Sequence, residues 1–258
     1  MSDNEQKSAA SSDTPVRTII VAVALSLIAS IAVSAAAVML KPTQELNKSL
    51  AKKKIILQVA GLYEEGINIE DAFTSKIEPR LVDLATGQYS DAADPVTYDQ
   101  RKAAKDPAMS EVLDKSDDIA SIKRQANLAS VYLVKEGDEL KKMILPIHGY
   151  GLWSTLYGFV ALKPDLNTVS GLQFYEHAET PGLGGEVDNP KWRSLWPDKK
   201  LYDDEGNVKI SVVKGGASGE YQVDALAGAT LTSNGVNNLV QFWVGEKGFG
   251  PFLRNMQK

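Results

Sequence analysis

The sequence has 258 residues, enough for a membrane anchor and one sizeable domain. Charged residues make up 24% and hydrophobic residues 43%, a composition typical of globular rather than disordered protein. Residues 1–41 hold three basic and three acidic side chains, so residues 42–258 carry the whole formal net charge of −5. Because an acidic domain repels phosphate backbones, we expect no nucleic-acid partner.

The scarcity of metal-binding side chains narrows the possible chemistry. The chain has no cysteine, which excludes disulfides, cysteine-ligated iron–sulfur clusters, c-type haem attachment and thiol nucleophiles. With only two histidines, His148 and His177, we expect no metal site. A redox role would need a cofactor bound by oxygen ligands, backbone and packing, which favours a flavin or a quinone.

The N-terminal region predicts a membrane anchor. We predict a disordered tail over 1–16 and a transmembrane helix over 17–41, because 23 uncharged residues between Arg17 and Lys41 can span a hydrocarbon core of about 30 Å. The alternative is a cleaved signal peptide, since Ala35-Ala36-Ala37 offers a cleavage pattern. The apolar run continues to Leu40, which favours a retained anchor.

The lysines that flank this segment bear on its orientation. More basic residues follow the apolar run than precede it, and simple counting therefore puts the C-terminal domain in the cytoplasm. Long domains, however, translocate largely regardless of charge. The run Lys52–Lys54 has two interpretations, a solvated helix face and a contact with a neighbouring protein or with lipid.

The rest of the chain predicts an α+β fold. We expect residues 42–125 to form a helical and loop region packed on the soluble domain, and residues 126–258 to form a domain of antiparallel strands with flanking helices. The candidate strands are 130–135, 140–147, 156–162, 172–175 and 210–213. An amphipathic helix is predicted over Leu231–Val244, ending at Gly245.

The start of that last helix carries a cluster of hydroxyl groups. Thr230, Thr232 and Ser233 follow a strand-like segment and the small residues Gly228 and Ala229, which leave room for another molecule to approach the backbone. Free N–H groups and the positive dipole end at a helix N-terminus favour a phosphate. The alternative is an ordinary helix cap, in which a hydroxyl satisfies one of those N–H groups.

Two further blocks point to a ligand. In the segment EHAETPGLG over 176–184, Pro181-Gly182 marks a tight turn, and Glu179 and Thr180 are polar groups able to orient a ligand. In the segment GYGLWS over 149–154, the glycines permit close backbone approach and Trp153 offers a flat aromatic face.

These blocks resemble those of a known family. The segment Asp224–Thr230 resembles the acceptor motif of bacterial flavin transferases, which attach FMN through its phosphate to the hydroxyl of the last Thr or Ser. Position 227 departs from the motif, with Ala where Ser or Thr is commonest, but it is not the acceptor. With the other two blocks in family order, the chain resembles the covalent FMN-binding subunits of sodium-translocating NADH:quinone oxidoreductases and of the related ferredoxin:NAD oxidoreductase complex. The segment 90–125 and the C-terminal helix are more similar to the FMN-binding C-type member of the sodium pump.

The resemblance implies an electron-relay subunit of a translocase that oxidises NADH, reduces ubiquinone and pumps sodium ions. Its FMN would be joined to Thr230 by a phosphoester, and no residue would be catalytic. Its partners would be the other proteins of the complex, the membrane, and a flavin transferase during maturation. That transferase acts outside the cytoplasm, so the C-terminal domain would lie in the periplasm, anchored in the inner membrane, and the tail over 1–16 would be cytoplasmic. The residues expected around the flavin are Asp224, Gly228, Ala229, Thr232, Trp153, Glu179, Thr180, Leu183 and Gly184.

Two alternatives remain at this point. The first is the corresponding FMN-binding protein of the ferredoxin:NAD oxidoreductase complex, which has the same chemistry and another electron donor. The second is a membrane-anchored binding or scaffold protein without a cofactor, in which Thr230 only caps a helix.

Overall fold

The computed structural model describes residues 14–257 and forms two compact units, one ending at Ser49 and one beginning at Leu50. Most of the predicted tail therefore lies outside the described residues. The long helix α1, Pro15–Val59, contains Pro42 in its interior, and the part in the first unit is almost entirely exposed. This helix is long and apolar enough to cross a membrane, and it fits the predicted single anchor.

A six-stranded antiparallel sheet forms the centre of the second unit. Its spatial order is β2-β1-β5-β6-β7-β8. In chain order the strands are β1 (Glu78–Asp83), β2 (Gln88–Tyr89), β3 (Ser110–Val112), β4 (Arg124–Ala126), β5 (Leu128–Glu136), β6 (Glu139–Tyr150), β7 (Thr155–Leu162), β8 (Val169–Glu176), β9 (Ser211–Val213) and β10 (Gln222–Asp224). The strands β3 and β4 form a small antiparallel pair, and β9 and β10 form a small parallel pair.

Short helices flank the sheet. They are α2 (Ile69–Lys76), α3 (Gln100–Ala103), α4 (Pro190–Arg193), α5 (Thr230–Val244) and α6 (Gly250–Met256), with a 3-10 turn over Gly184–Asp188. The predicted α+β fold, with one N-terminal apolar helix and an antiparallel domain, is confirmed.

Both faces of the sheet are buried, as the alternation along β6 shows. Met143 and Leu145 belong to the larger core, which includes Leu239 and Trp243 of α5. Ile144 belongs to the smaller core. Because successive residues of a strand point to opposite faces, the two cores lie on opposite faces of the sheet. We call them the α5 face and the α1 face, since the last turns of α1 pack in the smaller core.

The segment 42–125 differs from its sequence-based description. It was expected to hold helices and loops, but it also supplies the strands β1 and β2 of the central sheet and the small pair formed by β3 and part of β4. In β1 the neighbouring residues Leu81 and Val82 are both buried, so the alternation that identifies a strand is absent. The strand β2 has only two residues, too few for any periodic pattern.

Candidate functional site

The first turn of α5 presents one exposed hydroxyl. Thr230 is the first helical residue and is exposed, whereas the capping position before it is Ala229, which is 7% exposed and makes no side-chain hydrogen bond to the helix. The first backbone bond of the helix runs from the Ser233 N–H to the Ala229 carbonyl. The earlier N–H groups of this turn therefore have no partner within the helix, and no side chain caps it.

The two neighbouring hydroxyls are buried and engaged. The Thr232 hydroxyl donates to the Glu179 carboxylate over 2.6 Å. The Ser233 hydroxyl donates to the Ala229 carbonyl over 2.9 Å and accepts from the Leu226 N–H over 3.0 Å. Both residues are at most 2% exposed. Of the three candidate hydroxyls, only that of Thr230 stands on the surface.

Glu179 lies at the centre of the site. It is 5% exposed, and one of its carboxylate oxygens accepts backbone N–H groups from Leu152 and Trp153, each over 3.0 Å, and from Ser154 over 3.3 Å. Burial raises the pKa of the Glu179 carboxyl, but the hydrogen bonds from Thr232 and from the backbone outweigh this, so its net pKa lies below the ordinary 4.5. The group is therefore a buried anion at neutral pH.

Large apolar side chains stand exposed around this centre. Trp153 is 66% exposed, Leu231 58% and Leu183 45%. Gly228 has a φ of +73°, a backbone conformation that favours glycine, and a side chain added there would meet the end of Leu183 at 3.3 Å. The three sequence blocks thus meet at one surface. Exposed apolar groups beside a free hydroxyl suit a ligand with a flat apolar ring and a phosphate end.

Thr180 and Gly184, the other predicted site residues of this block, hold the turn over 180–185 in place. The Thr180 side chain is exposed, and its carbonyl accepts N–H groups from Leu183 over 3.1 Å and from Gly185 over 2.9 Å. Gly184 is buried, and a side chain at that position would lie 2.4 Å from the Thr232 hydroxyl. The turn is therefore packed directly against α5.

Asp224, the first residue of the acceptor-like segment, is hydrogen-bonded to other parts of the protein through its carboxylate and its backbone carbonyl. The Asp224 carboxylate accepts the Ala217 N–H over 2.9 Å, and its carbonyl accepts the indole N–H of Trp192 over 2.8 Å. These bonds fix the end of β10, from which the chain runs to Thr230.

The two histidines make contacts inside the protein. The His148 ring lies 5.4 Å from the Tyr157 ring and 4.9 Å from the Trp243 ring. His177 is paired with Asp188 over 2.8 Å, and its other ring nitrogen accepts the Glu179 N–H over 3.2 Å. Burial, with a smaller contribution from the nearby Arg101 cation, lowers the pKa of His148 to about 4, so that ring is neutral at pH 7. Within residues 14–257 no cluster of acidic or histidine side chains is arranged to hold a metal ion.

Sequence reasoning missed two features of the site. Gly235, in the middle of α5, lies so close to the strand end that a side chain there would approach the Tyr150 carbonyl oxygen to 2.5 Å. A glycine inside a helical pattern is the signal that could have revealed this close approach. The exposure of Leu231 was also missed, because nothing in its position distinguishes it from a core residue of the helix.

Comparisons with known proteins identify the family of the chain. The FMN-binding domain family matches residues 151–245, which include all three blocks except Gly149 and Tyr150. A Pseudomonas aeruginosa protein, the C-type subunit of a Na(+)-translocating NADH-quinone reductase, is 52% identical over 257 residues, covering 96% of this chain and 98% of the relative. The chain belongs to this family, the NqrC family. A Vibrio vulnificus member is 53% identical over 250 residues, with the same coverage of both chains.

Solved structures of the NqrC family share the fold. The crystal structure of Shewanella oneidensis NqrC superposes with a TM-score of 0.77 at 38% identity, covering 82% of this chain and 99% of that one. The family member from Parabacteroides distasonis superposes with a TM-score of 0.66 at 27% identity, covering 83% and 96%. The predicted family is therefore confirmed.

Proposed function

We propose that this chain is the electron-relay subunit of a complex that oxidises NADH, reduces ubiquinone and pumps sodium ions, with FMN joined through its phosphate to the Thr230 hydroxyl. The observation that carries the attachment site is the contrast within one helical turn. Thr230 is exposed, whereas the hydroxyls of Thr232 and Ser233 are buried and hydrogen-bonded. A transferase that approaches the folded domain meets only the first of them.

The surroundings of Thr230 suit a phosphoester. The N–H groups of the first turn of α5 are not used within the helix and stabilise negative charge there. Ala229 places no polar side chain in competition at the capping position. Trp153, Leu183 and Leu231 offer exposed apolar surface that a flavin ring can cover.

The bound flavin would supply reversible uptake of electrons; the residues of this chain would hold it and exclude water from one side of it. Thr230 tethers it against loss. Asp224 fixes the segment that leads to Thr230, and Glu179 fixes the loop that carries Trp153. The remaining proteins of the complex would provide the electron donor and acceptor.

We place the C-terminal domain in the periplasm, because the acceptor motif requires a transferase that acts there. Three of the lysines that favour the opposite side in simple counting are engaged by the domain. Lys52 and Lys54 lie over the rings of Tyr132 and Tyr63, and Lys53 pairs with Glu70. These contacts support neither a purely solvated face nor a lipid contact for that run. A phosphatase fusion at the C-terminus should be active if the domain is periplasmic, and a cytoplasm-specific reporter active there would contradict the orientation.

The two alternatives are less well supported. The relatives at about 50% identity over nearly the whole chain carry the name of the sodium-translocating reductase, which favours the sodium pump over the ferredoxin-linked complex. A scaffold in which Thr230 is a plain helix cap is disfavoured, because Ala229 and not Thr230 occupies the capping position.

The test is to map the flavin on the full chain co-expressed with a flavin transferase. Thr230→Ala should abolish in-gel fluorescence that survives denaturation, and Thr230→Ser, which keeps a hydroxyl, should retain part of it. The matched control is Thr232→Ser, which should be labelled like the wild type. Denaturation-resistant flavin on Thr230→Ala, or a labelled peptide that maps to Thr232 or Ser233, would refute the assignment.

A further inference from the structure

Both oxygens of the Glu179 carboxylate are occupied by the protein itself. One accepts three consecutive backbone N–H groups of the Trp153 loop, which we define as residues 151–154, and the other accepts the Thr232 hydroxyl. Close backbone fills the remaining space: side chains at Gly151 and Gly184 would lie 2.6 and 2.7 Å from its two oxygens. With Glu179 only 5% exposed, its carboxylate is held by the protein's own groups and offers almost no surface to a ligand.

We propose that Glu179 is a positioning residue that joins the Trp153 loop, the turn over 180–185 and the first turn of α5, and that its fixed negative charge lowers the reduction potential of the flavin. The proposal rests on attachment at Thr230. It assigns Glu179 a different role from that of a flavin-lining side chain, since it acts on the flavin through its field and through the groups that it holds.

The charge effect follows from burial and from the nature of the partners. All four donors are neutral groups, so the negative charge is stabilised but not cancelled. Thr232, which bonds the carboxylate, is two residues from Thr230 on the same helical turn. A reduction that adds negative charge to a flavin tethered there becomes less favourable, because the negative charge of the nearby buried carboxylate repels it.

Glu179→Gln removes the charge of this side chain and keeps its size and shape. In Glu179→Gln, the amide oxygen can still accept the three backbone N–H groups, and the amide NH2 can donate to the Thr232 hydroxyl oxygen. The four hydrogen bonds at this side chain can thus be kept in number, with the Thr232 hydroxyl changing from donor to acceptor, while the charge is lost. The matched control is Glu205→Gln, the same chemical change on an exposed turn.

The experiment is a spectroelectrochemical titration of the full flavinylated chain in detergent. We expect Glu179→Gln to keep covalent flavin and to have a higher midpoint potential than wild type, whereas Glu205→Gln is unchanged. The shift should persist between 0.1 and 1 M salt, since a buried charge is weakly screened. A Glu179→Gln protein with the wild-type potential would overturn the proposal. So would an equal shift in Glu205→Gln.

A second pair of variants keeps the proposal testable if Glu179→Gln fails to fold or to be labelled. Thr232→Val removes one donor to the carboxylate, and Thr232→Ser keeps it. Thr232→Val should change both the potential and the quenching of flavin fluorescence, and Thr232→Ser should restore wild-type values. Identical values for Val, Ser and wild type would refute the positioning role. An error in the attachment site would appear separately, as a label that maps away from Thr230 in the wild-type chain.

Discussion

The two faces of the central sheet differ in how far the apolar side chains at their edges are covered by the rest of the chain. On the α1 face, the cationic side chains at the end of α1 cover aromatic rings: the Lys52 ammonium lies 5.9 Å from the centre of the Tyr132 ring, and that of Lys53 lies 5.3 Å from the Phe73 ring. Beside the α5 face, at the first turn of that helix, Trp153 and Leu231 remain more than half exposed.

The difference shows which apolar groups the domain needs for folding. A face whose rings are covered by the chain's own side chains has completed its packing, whereas large exposed apolar groups gathered around a free hydroxyl leave a surface for a ligand. Substitutions on the two sides should therefore separate stability from cofactor properties.

The largest effect on the free energy of unfolding is expected from a substitution on the α1 face. Phe159 is fully buried, and its ring lies 5.9 Å from that of Tyr132 and 5.2 Å from that of Tyr175. Phe159→Ala should lower the free energy of unfolding by about 3–5 kcal/mol, because it removes apolar contacts and leaves a cavity. Urea unfolding of the full chain in detergent, followed by circular dichroism, would measure this. Phe159→Leu, the control, should cost much less, and equal losses for the two variants would contradict the role of ring packing.

The second effect is a loss of stability in acid that depends on Glu179. Because its pKa is lower in the folded chain, the carboxylate contributes stability that is fully present above its ordinary pKa of 4.5 and is lost as the pH falls through the folded value. Thermal unfolding from pH 6 to pH 3 should therefore show a steeper decline for wild type than for Glu179→Gln. Parallel curves would show that this carboxyl is not linked to folding.

A smaller effect is expected at Gly228. Its φ of +73° makes an alanine there cost about 1–2 kcal/mol in the free energy of unfolding. Gly206 has a φ of +81° and no neighbour within 4 Å of an added side chain, so Gly206→Ala should cost a similar amount. Only Gly228→Ala, which crowds Leu183 beside Thr230, should also slow covalent labelling. Equal labelling rates in the two variants would show that the flavin does not reach Thr230 past Gly228 and Leu183.

The smallest effect on stability should come from the exposed groups. Trp153→Ala and Thr230→Ala should each change the free energy of unfolding by no more than about 0.5 kcal/mol in protein without flavin. Thr230 does not cap the helix, so the loss of about 1 kcal/mol expected for removal of a cap does not apply. A large loss for either variant in the same urea titration would mean that these groups belong to the core and not to a ligand surface.

The sequence predicts those helices and strands of this domain whose pattern and end signals lie within the element itself. The predicted helix over 231–244 lies within one residue of α5, because its amphipathic pattern and Gly245 mark both ends. The strands β5 and β6 correspond to the candidate strands 130–135 and 140–147, which their short apolar runs predict. The strand β1 is not predicted, since it lacks the alternation of a strand and pairs with the distant β5. The strand β2, which pairs with the neighbouring β1, has only two residues and is too short for any pattern.

The structure brings the three predicted blocks together at one surface, but the sequence does not predict how their side chains bond one another. Thr232, Glu179 and Thr230 were all expected near the flavin, yet nothing local indicates that the first two bond each other across 53 residues of sequence. That bond depends on how the turn over 180–185 packs against α5. Likewise, the hydrogen bonds of Asp224 to Ala217 and Trp192 arise from tertiary packing, which a motif does not encode.

The engagement of Thr232 and Ser233 has a consequence for chemistry at this turn. A synthetic chemist who must modify one of three similar alcohols masks the other two with protecting groups. Here the fold does the same: the carboxylate of Glu179 and the backbone around Ala229 mask two hydroxyls reversibly, and unfolding removes the mask. Among these three hydroxyls, a reagent that reacts with alcohols would therefore select Thr230 on the native chain, and it would lose that selectivity on the denatured one.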